Sequence, residues 1–163
     1  KYKGIEDALE VVKILKEKGV IISLDIIGLG TPKYLNILIK LIDDFKIKDQ
    51  VFILSKEVPT NFLIDKINES EMLWLPYKKI SQSGVACTST GLGKPFVGYD
   101  VGDFKYSFGD KGVAKIVKED NIEDFSEAVI EVLDNQDFHE KNIQKLSLQN
   151  LWDSNKIILN LKN

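Results

Sequence analysis

Residues 20–32 read VIISLDIIGLGTP, a β-branched apolar run followed by a turn that contains two glycines. The run over residues 20–27 is typical of a buried strand. Residues 34–47 then carry apolar side chains at helical spacing: Leu35, Leu38, Ile42 and Phe45. That spacing predicts a helix with one apolar face. A buried strand that leads directly into such a helix is the building unit of a parallel α/β sheet.

The same alternation of strands and helices continues on both sides of this unit. Further strands are predicted over residues 51–54, 72–75, 95–98 and 112–117. Further helices are predicted over residues 5–18, 59–70, 82–92, 123–133, 137–148 and 152–161, and Phe62, Leu63 and Ile67 should face inward. The pattern predicts an α/β fold, a doubly wound parallel sheet with helices on both faces. Ligands of such sheets bind beyond the carboxyl ends of the strands.

The composition is that of one globular domain of 163 residues, with 44 % apolar and 29 % charged residues. The net charge of −3 gives the chain no general attraction for nucleic acid. A single cysteine excludes an internal disulfide, which fits the cytoplasm. We expect Cys87 to be a packed core thiol and His139, the only histidine, to lie on the surface. A metal site built from histidine and cysteine is not expected.

The loop before the helix over residues 82–92 reads PYKKISQSGV from Pro76 to Val85. Ser83 or Ser81 can cap this helix. Gly84 leaves room for an anion to reach the N–H groups of the first turn, where the helix dipole favours negative charge. An ordinary capped helix remains the alternative interpretation.

Other loops at the predicted ligand edge carry weaker signals. Lys3 stands at the start of the first helix, where a positive charge opposes the dipole unless an anion binds there; a solvated surface lysine is equally consistent. Glu57 could meet a nucleoside or be a solvated acid. Asp100 and Asp103 could bind sugar hydroxyls, although a simple turn is favoured.

Taken in chain order, these segments resemble the C-terminal domain of glycosyltransferase family 4, also called group 1. The segments similar to family motifs are YKGI (residues 2–5), IIGLG (26–30), EVP (57–59), MLWLPY (72–77), SQSGV (81–85), GKPFV (93–97), DVG (100–102) and Trp152. The resemblance covers nearly the whole chain. It implies the Rossmann-like half of a GT-B enzyme, a retaining glycosyltransferase that uses a nucleotide-activated sugar.

The resemblance also implies roles for individual residues. Lys3 would act catalytically and contact the donor diphosphate, and the first turn of the small-residue helix would hold the same phosphates through Ser83, Gly84 and Val85. The nucleoside would lie against a second group: Gly28, Gly30, Ser55, Glu57, Val58 and Thr88. No metal or other cofactor is expected, because positive groups and helix amides do the work of a cation.

One departure from the family pattern affects the ribose. Many members carry two glutamates with seven residues between them, and the corresponding positions here are Ile80 and Thr88. Neither residue is acidic, and Thr88 or Ser89 could replace the lost contact only weakly. The departure keeps a second function open, a transfer-inactive module that binds nucleotides or sugar phosphates within a carbohydrate-assembly complex.

The resemblance further implies that residues 1–163 form a single nucleotide-sugar-binding domain without its first strand and without the preceding acceptor-binding domain. In a doubly wound sheet the first strand lies between the second and the fourth. The strand over residues 20–27 should therefore not pair directly with that over residues 72–75. The expected partners are the sugar-nucleotide donor and the acceptor domain. We expect a cytoplasmic location, and any contact with the inner face of the membrane would come through the rest of the protein.

Overall fold

The computed structural model of the protein describes residues 2–146. Its strands are β1 (Leu24–Ile27), β2 (Val51–Leu54), β3 (Leu73–Leu75), β4 (Phe96–Tyr99) and β5 (Ala114–Val117). Its helices are α1 (Ile5–Glu17), α2 (Pro32–Asp44), α3 (Thr60–Glu69), α4 (Gly84–Gly91), α5 (Phe104–Ser107) and α6 (Ile122–Asp134), followed by helical residues 136–146. None of these helices is long and apolar enough to cross a membrane. The predicted helix over residues 152–161 lies outside the described residues.

Every strand pairing in the described residues is parallel, which confirms the predicted α/β class. β1 pairs with β2, and Leu24 lies opposite Val51. β3, β4 and β5 form a second group in which β4 is central and buried along its whole length. Because the strands are parallel, their carboxyl ends and the loops that follow them share one edge within each group.

Helix α1 packs against both groups of strands. Its Val11 and Leu15 belong to the larger core, together with the buried side chains of β4 and α6. Its Leu9 and Val12 belong to a smaller core with α2, and partly buried side chains of β1 and β2 pack against that core. One amphipathic helix therefore connects the two halves of the hydrophobic interior.

A seam separates the two groups, because β1 and β3 do not pair with each other in the described residues. The strand expected over residues 20–27 is shortened to its second half, Leu24–Ile27. Helix α3, which links β2 to β3, has no buried residue. The expectation that Phe62, Leu63 and Ile67 face inward is wrong for Leu63, which is exposed, whereas Phe62 and Ile67 are half-buried.

Two single-residue expectations are also wrong. His139 is buried, and its Nδ1 lies 2.9 Å from the carbonyl oxygen of Gly112. Cys87 is exposed, because the face of α4 that packs on the sheet is formed by Ala86, Ser89 and Thr90. The face that each of these two helices buries could not be inferred from the residue types alone.

Candidate functional site

The first turn of α4 is open to an anion. Ser83 is its N-cap, and its hydroxyl oxygen accepts a hydrogen bond from the Ala86 N–H at 3.2 Å. Gly84 and Val85 are exposed, and their N–H groups have no acceptor among residues 2–146. The first turn contains no acidic residue. Unpaired N–H groups at the positive end of a helix dipole form an anion-binding site.

Lys3 lies at the carboxyl end of β3, next to the segment that leads to α4. The Lys78 N–H donates to the Tyr2 carbonyl at 2.8 Å. Gly4 has a φ of 63°, and a Cβ at Gly4 would stand 1.8 Å from the carbonyl oxygen of Pro76. Only glycine permits so close an approach in this conformation. Lys3 itself is exposed and forms no ion pair with the described residues.

The loop that follows β4 supports the loop that leads to α4. Gly102 has a φ of 59°, and a Cβ there would lie 2.3 Å from the Ile80 carbonyl oxygen. Helix α5 holds the two aspartates of this loop, because the Ser107 hydroxyl donates to Asp103 at 2.8 Å and the Lys105 ammonium lies 4.0 Å from Asp100. These contacts agree with the turn interpretation of the two aspartates.

Most of the residues expected at the nucleoside follow β1 and β2. Gly28 has a φ of 143°, and its N–H donates to the Leu54 carbonyl at 3.1 Å. A Cβ at Gly30 would meet the Ser55 hydroxyl oxygen at 3.7 Å, so the two loops touch. Glu57 is exposed and Val58 is partly buried in the next residues of the second loop.

Thr88 stands apart from those loops, on α4. Its hydroxyl donates to the Gly84 carbonyl at 2.8 Å. The side chain is exposed, one helical turn after the open N–H groups. A contact between Thr88 and the ribose stays a prediction.

A hydrogen bond between helices brings the nucleoside loops and Lys3 to the same edge. The Tyr34 hydroxyl, in the first turn of α2, donates to Glu6 at 2.6 Å, in the first turn of α1. Burial, followed by the hydrogen bond to Glu6, raises the pKa of Tyr34 and keeps it a donor. Because α2 follows the glycine turn and α1 follows Lys3, both candidate groups lie at this edge. That Lys3 and the Gly84 amide face one cleft stays a prediction.

Sequence reasoning missed a polar cluster at this edge, formed by Asp7, Lys78, Tyr99 and Asp120. The Lys78 ammonium pairs with both carboxylates, and the Tyr99 hydroxyl donates to Asp7 at 2.7 Å. No periodicity links residues so far apart in the chain. Neither this cluster nor any other within residues 2–146 gathers three histidine, cysteine, aspartate or glutamate side chains able to hold a metal ion.

The outer face of α4 borders a cavity of about 550 Å³. Ser83 and Gly84 line one part of it, and Cys87 and Lys111 also line it. The cavity therefore reaches the same first turn of α4 whose N–H groups are open.

The fold is shared with solved glycosyltransferase structures at low sequence identity. The chain is similar to sucrose-phosphate synthase from Thermosynechococcus elongatus, with 13 % identity, a TM-score of 0.75, and coverage of 96 % of this chain and 43 % of that one. Anabaena HepE, solved with UDP-glucose, is 12 % identical with a TM-score of 0.76, and the match covers 91 % of this chain and 41 % of HepE. The C-terminal domain of the group 1 protein LpcC from Francisella tularensis is 14 % identical with a TM-score of 0.74, and the match covers 88 % of this chain and 75 % of that one.

The chain thus spans less than half of the sucrose-phosphate synthase and HepE chains. No protein with a curated description matches the sequence significantly. The family model described as "Glycosyl transferases group 1" matches residues 1–147, which is most of the chain. The chain therefore belongs to the group 1 glycosyl transferases.

Proposed function

We propose that this chain is the donor domain of a retaining glycosyltransferase, which binds a nucleotide-activated sugar for transfer to a glycan or lipid acceptor. One observation carries the proposal: the open N–H groups of Gly84 and Val85 follow β3 in the chain, and the exposed Lys3 lies beside the carboxyl end of the same strand. Two sources of positive potential at one edge suit a diphosphate. Anabaena HepE, which shares the fold, was solved with UDP-glucose.

The proposed chemistry needs no metal ion. Negative charge develops on the departing nucleoside diphosphate as the glycosidic bond to the sugar breaks. The Lys3 ammonium and the first-turn amides would stabilise that charge in the transition state more than in the bound donor. The glycine loop at Gly28 and Gly30 and the segment from Ser55 to Val58 would receive the nucleoside.

A second candidate function rests on the residues at the ribose positions. Ile80 is apolar and partly buried, and the Thr88 hydroxyl is already bonded to the Gly84 carbonyl. Without a carboxylate, the ribose loses a charge-assisted hydrogen bond of about 1.5–3 kcal/mol. This loss favours a domain that binds nucleotides or sugar phosphates weakly and has lost transfer.

Calorimetric titration of the intact protein with UDP and with GDP, both in the presence of EDTA, tests the proposal. We expect one of the two to bind. A parallel titration of residues 1–163 alone should give a dissociation constant of about 0.1 mM or weaker, because the ribose carboxylate is missing. Binding of neither nucleotide would contradict the proposal. Nucleotide binding without release of UDP or GDP from any sugar nucleotide would favour the transfer-inactive module.

We also propose that in the intact protein a further parallel strand lies in the seam between β1 and β3 and precedes α1, after an acceptor-binding domain. The support is that, within residues 2–146, nothing pairs with the edges of β1 and β3 that face the seam, and that Tyr2 lies beside Lys78, where such a strand would enter α1. In the general doubly wound order the first strand occupies this central place.

Hydrogen exchange of the intact protein checks the proposed strand. The Leu24 N–H donates to the carbonyl of Gln50, just before β2, and the Gly28 N–H donates to Leu54 in β2. Because N–H groups alternate along a strand, those of Asp25 and Ile27 point toward the seam. We expect the Asp25 and Ile27 amides to be as protected as that of Leu24, because a neighbouring strand accepts them. Rapid exchange at Asp25 and Ile27 beside a protected Leu24 would show that the seam is empty.

A further inference from the structure

The start of α1 is fastened to the end of β3 at three points. The Lys78 N–H donates to the Tyr2 carbonyl at 2.8 Å. Gly4 lies directly against the Pro76 carbonyl. The Lys78 ammonium pairs with Asp7, in the first turn of α1. The backbone on both sides of Lys3 is thereby fixed by the segment from Pro76 to Lys78.

The side chain of Lys78 is itself held in one place. Its ammonium pairs with Asp7 and Asp120 and lies 5.2 Å from the centre of the Tyr99 ring. Tyr99 is fully buried, and its hydroxyl donates to Asp7 at 2.7 Å. The Asp7 side chain is only 12 % exposed. Paired with a largely buried carboxylate, Lys78 has few orientations left.

The charges around Lys78 argue against a direct contact with phosphate. Burial lowers the pKa of Lys78, but the hydrogen bonds to Asp120 and Asp7 outweigh it and leave that pKa above its usual value. The ammonium therefore stays charged, and two carboxylates neutralise it. A diphosphate that approached it would first meet the negative charge of Asp7 and Asp120.

We propose that Lys78 is a positioning residue for the donor site, which fixes the start of α1 so that the Lys3 ammonium reaches the donor diphosphate. The proposal rests on the proposed function, because it requires a diphosphate at Lys3. According to this proposal, the Asp7–Lys78–Asp120 cluster does not touch the phosphate and affects phosphate binding only by holding Lys3 in place. Replacing Lys78 should then lower the affinity for phosphate in a protein that has Lys3, but not in a variant from which Lys3 has been removed.

A double-mutant cycle in the intact protein tests this dependence, with UDP and GDP as probes. We expect Lys78→Met to weaken binding of the preferred nucleotide about tenfold, as the loss of an oriented charged contact does. We expect no further loss when Lys78→Met is added to Lys3→Met. Lys78→Arg should restore most of the affinity. Lys79→Met, which removes an exposed lysine from the same loop, is the matched control and should leave the affinity unchanged.

The corresponding nucleoside distinguishes positioning from general loosening. Its binding, followed by NMR, should be unchanged in Lys78→Met, because the nucleoside has no phosphate for Lys3 to contact. If Lys78→Met does not fold, Asp7→Asn removes the same ion pair with little change of shape and should show the same dependence on Lys3.

Three results would overturn the inference in different ways. Additive losses in the cycle would show that Lys78 contacts the phosphate itself. Equal losses for nucleotide and nucleoside would show a purely structural role. An unmodified protein that binds neither UDP nor GDP would overturn the proposed function, and the positioning role with it.

Discussion

Replacing Lys3 by methionine should lower the rate of sugar transfer by the intact protein about 10²- to 10³-fold, as the removal of one preorganised charge-stabilising group does in other enzymes. The reason is that in the proposed mechanism the ammonium faces a diphosphate whose charge grows as the bond to the sugar breaks. The effect should fall mainly on kcat, because the interaction strengthens in the transition state. Steady-state kinetics with the sugar nucleotide checks it.

Lys40→Met is the matched control for this variant. Lys40 is exposed on α2 and forms no ion pair with the described residues. It should leave both kcat and KM unchanged. A Lys3→Met protein with wild-type kcat would show that the positive charge at the start of α1 has no part in the reaction.

We expect the Gly4→Ala variant to be much less stable than the unmodified protein. The left-handed conformation of Gly4 costs a residue with a Cβ about 1–2 kcal/mol. A Cβ would also stand 1.8 Å from the Pro76 carbonyl oxygen, so the start of α1 must move away from β3. With a typical overpacking cost of about 1–3 kcal/mol, we expect the free energy of unfolding to fall by about 2–5 kcal/mol. Thermal and urea denaturation measure this loss.

The Gly19→Ala variant measures how much stability is lost through the backbone conformation alone, without a steric clash. Gly19 also has a positive φ, 78°, but nothing lies within 4 Å of a Cβ placed there. This variant should lose only the conformational part, about 1–2 kcal/mol. Equal losses in the two variants would mean that the contact with Pro76 contributes nothing to holding the start of α1.

Much of the fold could be predicted because its local signals agree with one another. Val51–Leu54 is a strand with the predicted bounds, and the helix predicted over residues 5–18 is α1, in which Ala8, Leu9, Val12 and Leu15 are buried at helical spacing. In these elements the apolar residues that recur at regular spacing in the sequence are the ones that pack into the core. Ser83 could be named, together with Ser81, as a possible cap for the same reason, since its side chain and the helix it starts lie close in sequence; the structure selects Ser83.

What could not be predicted depends on distant contacts. The short α5 carries Phe104, whose burial against β4 has no periodic signal in sequence. The burial of His139 depends on the Gly112 carbonyl, 27 residues earlier. In the sequence, Lys78 is one of two neighbouring lysines in a loop and nothing distinguishes it. Its role depends on Asp7 and Asp120, which lie beside its ammonium only in the folded chain. Contacts of this kind are properties of the folded chain, so sequence patterns do not contain them.

The most direct test of the proposed site is an NMR titration of the isotopically labelled intact protein with UDP and with GDP. If the donor diphosphate binds at the open first turn of α4, the amide resonances of Ser83, Gly84 and Val85 should show the largest shifts, and those of Gly28 and Glu57 should report the nucleoside. If a nucleotide binds while the Gly84 and Val85 resonances stay in place, the donor site lies elsewhere and the account given for α4 and Lys3 is wrong.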